Sequence, residues 1–261
     1  MFVSLPIRLG ILSCNVPNYL KQWRVIRKGK EGHVARFVIS DVVLNIAPRH
    51  LSVELQQRLE KGRYETQEAA TIRKLLKTTD TVLELGTGIG FTAIIAARVV
   101  GGESVVTVEA NPALLPDIKA NFQENGIEGV TLINRAVLPE SGRERAQIFV
   151  PEAFWGATID GLNQPLAEEI TVPAIGFDEV LAAHPSTVLI CDVEGAEVAF
   201  FKRPIPESFA LILLEMHPNH YNILAVKTIF DRLSAQGFGY VPYGSRGPVV
   251  AFRRVASPNS A

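Results

Sequence analysis

The sequence predicts an α/β protein built on one mostly parallel sheet, with helices on both faces and an antiparallel last strand. Two stretches carry the parallel part. Thr81–Pro112 (TVLELGTGIGFTAIIAARVVGGESVVTVEANP) reads as strand Thr81–Leu85, glycine turn Gly86-Thr87-Gly88-Ile89-Gly90, apolar helix Phe91–Val100 and second strand Val105–Val108, with Glu109 at its carboxyl end. Thr187–Phe201 (TVLICDVEGAEVAFF) repeats the plan, with strand Val188–Cys191, acidic turn Asp192-Val193-Glu194-Gly195-Ala196-Glu197 and a helix. Short apolar runs that alternate with helices build parallel sheets, which bind ligands in the crevice at the carboxyl ends of their strands. The third observation is the tail, where Phe238–Pro242 and Val249–Arg254 flank the turn Tyr243–Pro248 and predict a final hairpin.

The glycine turn points to a nucleoside cofactor. Glycines let the backbone approach a ligand closely, and an acid about 20 residues on can take both ribose hydroxyls. A dinucleotide fingerprint places its third glycine three residues after the second, where a pyrophosphate rests on the helix N-terminus. Phe91 stands at that position and the third glycine comes one residue early, which disfavours NAD. The pattern Glu84-x-Gly86-x-Gly88-x-Gly90 instead resembles the first motif of class I S-adenosylmethionine (SAM) methyltransferases. That resemblance implies SAM as cofactor, Glu84 holding its amino group directly or through water, and Glu109 on its ribose. The antiparallel final hairpin fits the same fold, a Rossmann-like class I methyltransferase sheet.

Composition bounds the rest. The chain has 261 residues, 47% hydrophobic and 20% charged, enough for a large core in one or two domains. A net charge of -1 gives no electrostatic case for a nucleic-acid partner. Cys14 and Cys191 are its two cysteines, which argues for a reducing compartment without a disulfide framework. Arg8 breaks the short apolar run at the N-terminus, a poor signal peptide and too short to span a membrane. The expected location is the cytoplasm.

Residues 1–60 form an extension without a chemical motif, ahead of a methyltransferase domain over 61–255 and a frayed tail over 256–261. Gln22–Ile26 and Val34–Ile39 read as a hairpin around Lys28–Gly32, and Ser52–Glu60 as a short helix with Ser52 as N-cap and Gly62 as stop. The extension suits a lid, a homodimer contact or a substrate platform. His33 and His50 are isolated, which suits surface or packing roles. Arg63–Glu68 leads into a helix with Ile72, Leu75 and Leu76 on one face. The segment before the first strand often covers the methionine end of SAM in these enzymes, which brings in Glu65 and Glu68. Both also suit ordinary acids of a first helical turn.

After Glu109-Ala110, Asn111 caps a helix that Pro112 opens and Gly126 closes. Strand Val130–Asn134 then delivers Asn134-Arg135-Ala136-Val137 to the same edge, where class I methyltransferases recognise adenine; Asn134 is the chosen polar contact. Residues 139–170 interrupt the alternation: a turn at Pro139–Gly142, a strand at Ala146–Val150, and an aperiodic stretch with Phe154 and Trp155. That stretch reads either as part of the substrate pocket or as a loop stapled to the core by Trp155. Strand Leu211–Leu214 ends in Glu215-Met216-His217-Pro218, and adjacent parallel strands would bring Asp192, Glu194, Glu215 and His217 to one rim. Tyr221–Gln236 is an amphipathic helix.

The glycine turn, Glu109-Ala110-Asn111-Pro112, the Asp-Val-Glu-Gly-Ala-Glu stretch and the Leu-Glu-Met-His strand end together resemble FkbM-family methyltransferases over roughly residues 63–220. The resemblance implies SAM as donor and methylation of a hydroxyl on a sugar, polyketide or related small molecule. Two departures stand out. The usual Asp-x-Gly-Ala-Asn start is Glu84-Leu85-Gly86-Thr87-Gly88, and the usual Lys-Ile-Asp lead is Leu189-Ile190-Cys191-Asp192, which lacks a basic substrate contact. The sulfonium is already a strong electrophile, so the enzyme chiefly aligns an oxygen with the methyl group and removes its proton. His217 is the expected base because imidazole titrates near neutrality, with Asp192 as alternative base or orienting group. Glu194 joins them at the rim. Carboxylates with a histidine can also hold Mg²⁺ or Mn²⁺, but clustered acids commonly cap helices, so no metal is assigned. Glu197 is expected to stabilise its helix N-terminus, and His220 to lie at the surface. The competing readings are a methyltransferase acting on RNA or protein and a non-catalytic SAM-binding or assembly protein.

Overall fold

In the computed structural model, which describes residues 34–150 and 167–255, β1 (Ala35–Ile39) and β2 (Val42–Ile46) form a hairpin turned by Ser40 and Asp41. Both turn residues have positive φ, 49° and 70°, as a tight two-residue hairpin turn of primed type requires. The described partner of the predicted Val34–Ile39 strand is therefore β2. The predicted turn at 28–32 and strand 22–26 lie outside the described residues, as do Cys14, His33, Phe154, Trp155 and the tail from Ala256. Helix α1 (Val53–Glu60) starts where Ser52 accepts a hydrogen bond from the Leu55 amide, and α2 (Thr66–Leu75) follows.

The central sheet holds the expected strands β3 (Val82–Leu85), β4 (Val105–Glu109) and β5 (Thr131–Asn134), joined by α3 (Phe91–Val100) and α4 (Leu115–Glu124). β6 (Ala136–Leu138), β7 (Arg145–Val150) and β8 (Glu168–Gly176) form a small side sheet in which β8 lies between the other two. After α5 (Phe177–Ala183) come β9 (Val188–Cys191), α6 (Glu197–Phe200), β10 (Leu211–Glu215), α7 (Ile223–Ala235), β11 (Phe238–Tyr240) and β12 (Val249–Arg254). The sheet order is β11-β12-β10-β9-β3-β4-β5, parallel from β10 to β5, with β12 antiparallel to both β10 and β11. The predicted mostly parallel α/β sheet with an antiparallel last strand is the observed fold. Chain direction across the sheet reverses between β3 and β9, which creates a crevice at their carboxyl ends.

Strand side chains alternate between faces. Val82, Val188, Ile190, Leu211 and Leu213 join one core with α1, α2, α3 and α4, whereas Leu83, Leu85, Leu189, Cys191, Ile212 and Leu214 join a second with α5, α6 and α7. The hairpin belongs to the first core through Phe37, Ile39, Val42, Leu44 and Ile46. Its outer edge is met by a helix. Asp117 and Asn121 of α4 and its C-cap Asn125 accept hydrogen bonds from the amides of Ala47, Asn45 and Val43 at 3.0, 2.6 and 2.9 Å. Four helical residues rise about 6 Å and two strand residues about 6.6 Å, so the spacings nearly match.

The aperiodic stretch lies outside the described residues, and β8, which follows it, was not expected from the sequence. β8 alternates inward Val172 and Ala174 with outward Thr171 and Pro173, and a Pro inside a strand obscures that pattern in the sequence. Among the described residues, no helix is long and apolar enough to cross a membrane.

Candidate active site

The crevice is formed by two chain segments in close contact. The Asp192 amide donates to the Leu85 carbonyl at 2.9 Å, which extends the β3–β9 pairing to the start of the glycine turn. Gly86 has φ +91°, and a Cβ there would lie 1.8 Å from the Asp192 carbonyl oxygen. Only glycine fits on both counts. A Cβ on Gly88, also at positive φ, would point toward the Tyr64 hydroxyl at 3.3 Å. These glycines open a cavity lined by Leu85, Val108, Val137 and Ile148 on its apolar side and by Tyr64, Glu65, Glu109, Arg135, Asp192 and Glu194 on its polar side.

Glu109 is locked in place: its carboxylate accepts from the Gly88 amide at 3.0 Å and the Asn111 amide at 2.8 Å. Burial raises its pKa to about 7 against those hydrogen bonds. Glu84 lies beneath the turn, 1% exposed, with its two oxygens accepting from the Thr92 and Thr107 hydroxyls. Burial lifts its pKa to about 7 as well, opposed by those two hydroxyls. Glu84 thus braces β3, β4 and α3, and is absent from the cavity wall.

At the rim, the ends of β9 and β10 bring four predicted residues together. His217 Nε2 lies 3.5 Å from Asp192 Oδ1 and 3.3 Å from Glu194 Oε2, while Nδ1 lies 2.9 Å from Glu197 Oε1. Glu197 is fully buried and also accepts from the Gly195 amide at 3.1 Å, so it steadies the acidic turn and the imidazole together. Glu194 reaches the rim from a left-handed backbone, φ 48°. Burial works against charge on His217, but the Glu197 hydrogen bond and the Asp192 and Glu194 carboxylates outweigh it and push its pKa to about 10. The surrounding carboxylates thus favour the charged form of the imidazole that the sequence suggested as a base. Burial raises Glu194 to about 7, against the pull of His217, and raises Glu215 to about 8, helped by Asp192 and Glu68.

Beyond the rim lies an open groove of about 540 Å³, bounded by α1 and α2 on one side and the β10–α7 loop on the other. Its walls include Arg58, Arg63, Glu68, Glu215, His217 and His220. His220 is half-buried and packs edge-on to His217 at 5.9 Å between ring centres, so it belongs to the groove rather than to the open surface. Tyr64, Glu65, Asp192 and Glu194 line both the cavity and the groove.

A sequence model described as the methyltransferase FkbM domain matches residues 84–240, more than half of the chain. The chain belongs to the FkbM methyltransferase family. Comparison with curated proteins gives no match. Among solved structures, a ribosomal protein L11 methylase from Lactobacillus delbrueckii subsp. bulgaricus is similar at 14% identity and TM-score 0.43, over 74% of this chain and 80% of that one. TYW2 of M. jannaschii, solved with AdoMet, is similar at 11% identity and TM-score 0.42, over 88% and 90%. The M. jannaschii tRNA m1G37 methyltransferase is similar at 12% identity and TM-score 0.45, over 87% and 56%. Family membership rests on the sequence match alone.

SAM is the donor of FkbM-family methyltransferases, and the residues present fit it. The Gly86–Gly88 backbone leaves the space a side chain would fill, the Glu109 carboxylate faces the cavity, and the Tyr64 hydroxyl and Asp192 Oδ1 are enclosed without hydrogen-bond partners. Of the residues predicted from sequence, Glu65, Gly86, Gly88, Glu109, Ala110, Arg135, Ala136, Asp192 and Glu194 line this FkbM-family cavity. Thr87 and Gly90 do not; Thr87 bonds Thr107 behind the turn, and Gly90 packs on Phe122. Asn134 donates to the Glu109 carbonyl at 2.8 Å and so shapes the loop beside the cavity. Sequence reasoning placed Val137 at this edge but missed Tyr64 and Ile148 in the cavity and Arg58 in the groove. The β7 strand pattern was the available signal for Ile148; nothing local marked Arg58, which faces the groove only through the packing of α1.

Proposed function

We propose that this FkbM-family methyltransferase transfers the SAM methyl group to a hydroxyl oxygen of a small molecule or sugar, in the cytoplasm. One observation carries the reading: Tyr64, Glu65, Asp192 and Glu194 wall the cofactor cavity on one side and the open groove on the other, so two ligands would meet across them. Bound SAM supplies an electrophilic methyl group. The chain holds the acceptor in the groove, with Asp192 orienting its hydroxyl. Glu194 receives the hydroxyl proton, its pKa of about 7 suiting a base that works near neutrality. His217, held as a cation by Glu197, balances the charge that gathers on Asp192 and Glu194. The groove sets five carboxyl groups (Glu65, Glu68, Asp192, Glu194, Glu215) against Arg58, Arg63 and His217, so it lacks the basic surplus that a polyanionic nucleic-acid backbone calls for. Residues 34–60 contribute Arg58 to that groove, which favours a substrate platform over a detached lid.

The test combines SAM calorimetry on the purified chain with labelled-methyl transfer to a panel of hydroxylated and amino acceptors. Micromolar SAM binding with transfer to hydroxyls supports the proposal. Transfer to amines or RNA alone overturns the acceptor, and absence of SAM binding favours the non-catalytic alternative.

A further inference from the structure

The rim arrangement is unusual in its second layer. His217 Nδ1 is committed to Glu197, a fully buried carboxylate already fixed by the acidic turn, so Nε2 is the free face and points at Asp192 and Glu194. A carboxylate on one imidazole nitrogen with the other nitrogen turned to oxygen donors is the pattern of metal-bound histidines. One donor atom from each of Asp192, Glu194 and His217 lies within 4.8 Å of the other two. Ligands about 2.1 Å from an ion stand roughly 3.0 Å apart at a right angle and 3.4 Å apart at a tetrahedral angle. The two separations from His217, 3.5 and 3.3 Å, lie within a few tenths of an ångström of these values, and the third pair lies within 4.8 Å. Asp192 Oδ1 is moreover an enclosed atom that accepts no hydrogen bond, and it lies 3.5 Å from His217 Nε2.

We infer that Asp192, Glu194 and His217 bind a hard divalent cation of the Mg²⁺/Mn²⁺ class, with Glu197 as the residue that positions the imidazole. The inference rests on the methyl-transfer reading of the same rim and narrows its acceptor. Two carboxylates and one imidazole, without thiolate, suit such ions. Three protein ligands leave positions open toward the groove, where an acceptor bearing a hydroxyl beside a second oxygen (a vicinal diol or a hydroxy acid) binds through both. The cation acidifies the hydroxyl, the oxygen stays on the ion, and the proton passes to the second, uncoordinated oxygen of Glu194.

The experiment titrates Mn²⁺ into the full-length protein and follows the loss of the free-ion electron paramagnetic resonance signal, with Mg²⁺ as competitor. One ion per chain is expected, with a nitrogen coupling to the bound Mn²⁺ that disappears in His217→Ala. Asp192→Asn should weaken binding at least tenfold, and Glu197→Gln about 10- to 100-fold. Circular dichroism and thermal unfolding in EDTA verify that each variant is folded; if His217→Ala is not, the nitrogen coupling in the unmodified protein decides. No binding at millimolar Mn²⁺, or binding without nitrogen coupling, overturns the inference. SAM binding in EDTA then keeps the methyltransferase reading standing, whereas loss of both removes both.

Discussion

Two histidines in this molecule, one buried and one half-buried, meet carboxylates, and they do opposite things. His50, in the loop after β2, hydrogen-bonds Asp117 at 2.8 Å, and Asp117 also accepts from the Ala47 amide at 3.0 Å. One carboxylate there serves several donors, so donors and acceptors are matched and the assembly acts as a latch between the hairpin and α4. His217 has the reverse ratio, one imidazole among Asp192, Glu194 and Glu197, with Glu68 and Glu215 close by. Like charges at that density are unfavourable, and burial makes them more so. Matched polar groups stabilise a fold. Crowded acids held at a strand-end crevice are instead poised to change partner when a ligand arrives.

The sharpest way to break this contrast is to neutralise one member of each assembly. Glu194→Gln is expected to lower kcat by roughly 100- to 10,000-fold, the usual range for losing a proton-transfer group. Its SAM affinity should stay within about threefold and its melting temperature should not fall, because a like charge is removed. A thermal-shift assay showing strong destabilisation would place the rim with the latch. Asp117→Ala should do the converse. The His50 ring and the Ala47 amide both lose their acceptor, at about 1–3 kcal/mol each, so a loss of roughly 3 kcal/mol in urea unfolding is expected with kcat retained in the folded fraction.

A third prediction concerns Glu84, which resembles the latch in its pairing and the rim in its burial. Its folded pKa, about 7, lies above the ordinary 4.5. The proton is thus bound more tightly in the native state, and the resulting stability is complete below about pH 4.5 and lost as pH rises through about 7. The loss approaches roughly 3 kcal/mol, and urea unfolding of Glu84→Gln across pH 4.5–7.5 should show a flatter profile than the parent. The smallest effect belongs to the half-exposed Arg36–Glu124 pair on the hairpin: Arg36→Ala should cost less than about 1 kcal/mol. A larger loss would mean the hairpin is held by surface charge rather than by its buried latch.

Much of this was legible in the sequence, for reasons of geometry. In a parallel sheet the residue after each apolar run must lie at the same edge, so Gly86, Glu109, Asp192 and His217 could be assigned to one rim without knowing any contact. Side-chain direction beyond the strand end is another matter. Glu84 is the last-but-one residue of β3, and whether its carboxylate meets a ligand or Thr92 and Thr107 depends on α3 packing over it. His217 was chosen as a base because free imidazole titrates near neutrality; how closely Asp192, Glu194 and Glu197 approach its two nitrogens is set by the turn after β9 and is not legible in the sequence. The hairpin turn at Ser40-Asp41 escaped notice because neither residue is glycine or asparagine, and β8 because Pro173 interrupts it.

The pairing of β2 with α4 also sets a clock. The amides of Val43, Asn45 and Ala47 are shielded by side chains of a helix instead of by a neighbouring strand. Their deuterium uptake should therefore follow the opening of α4, and the hairpin and α4, some seventy residues apart in sequence, should exchange as one cooperative unit.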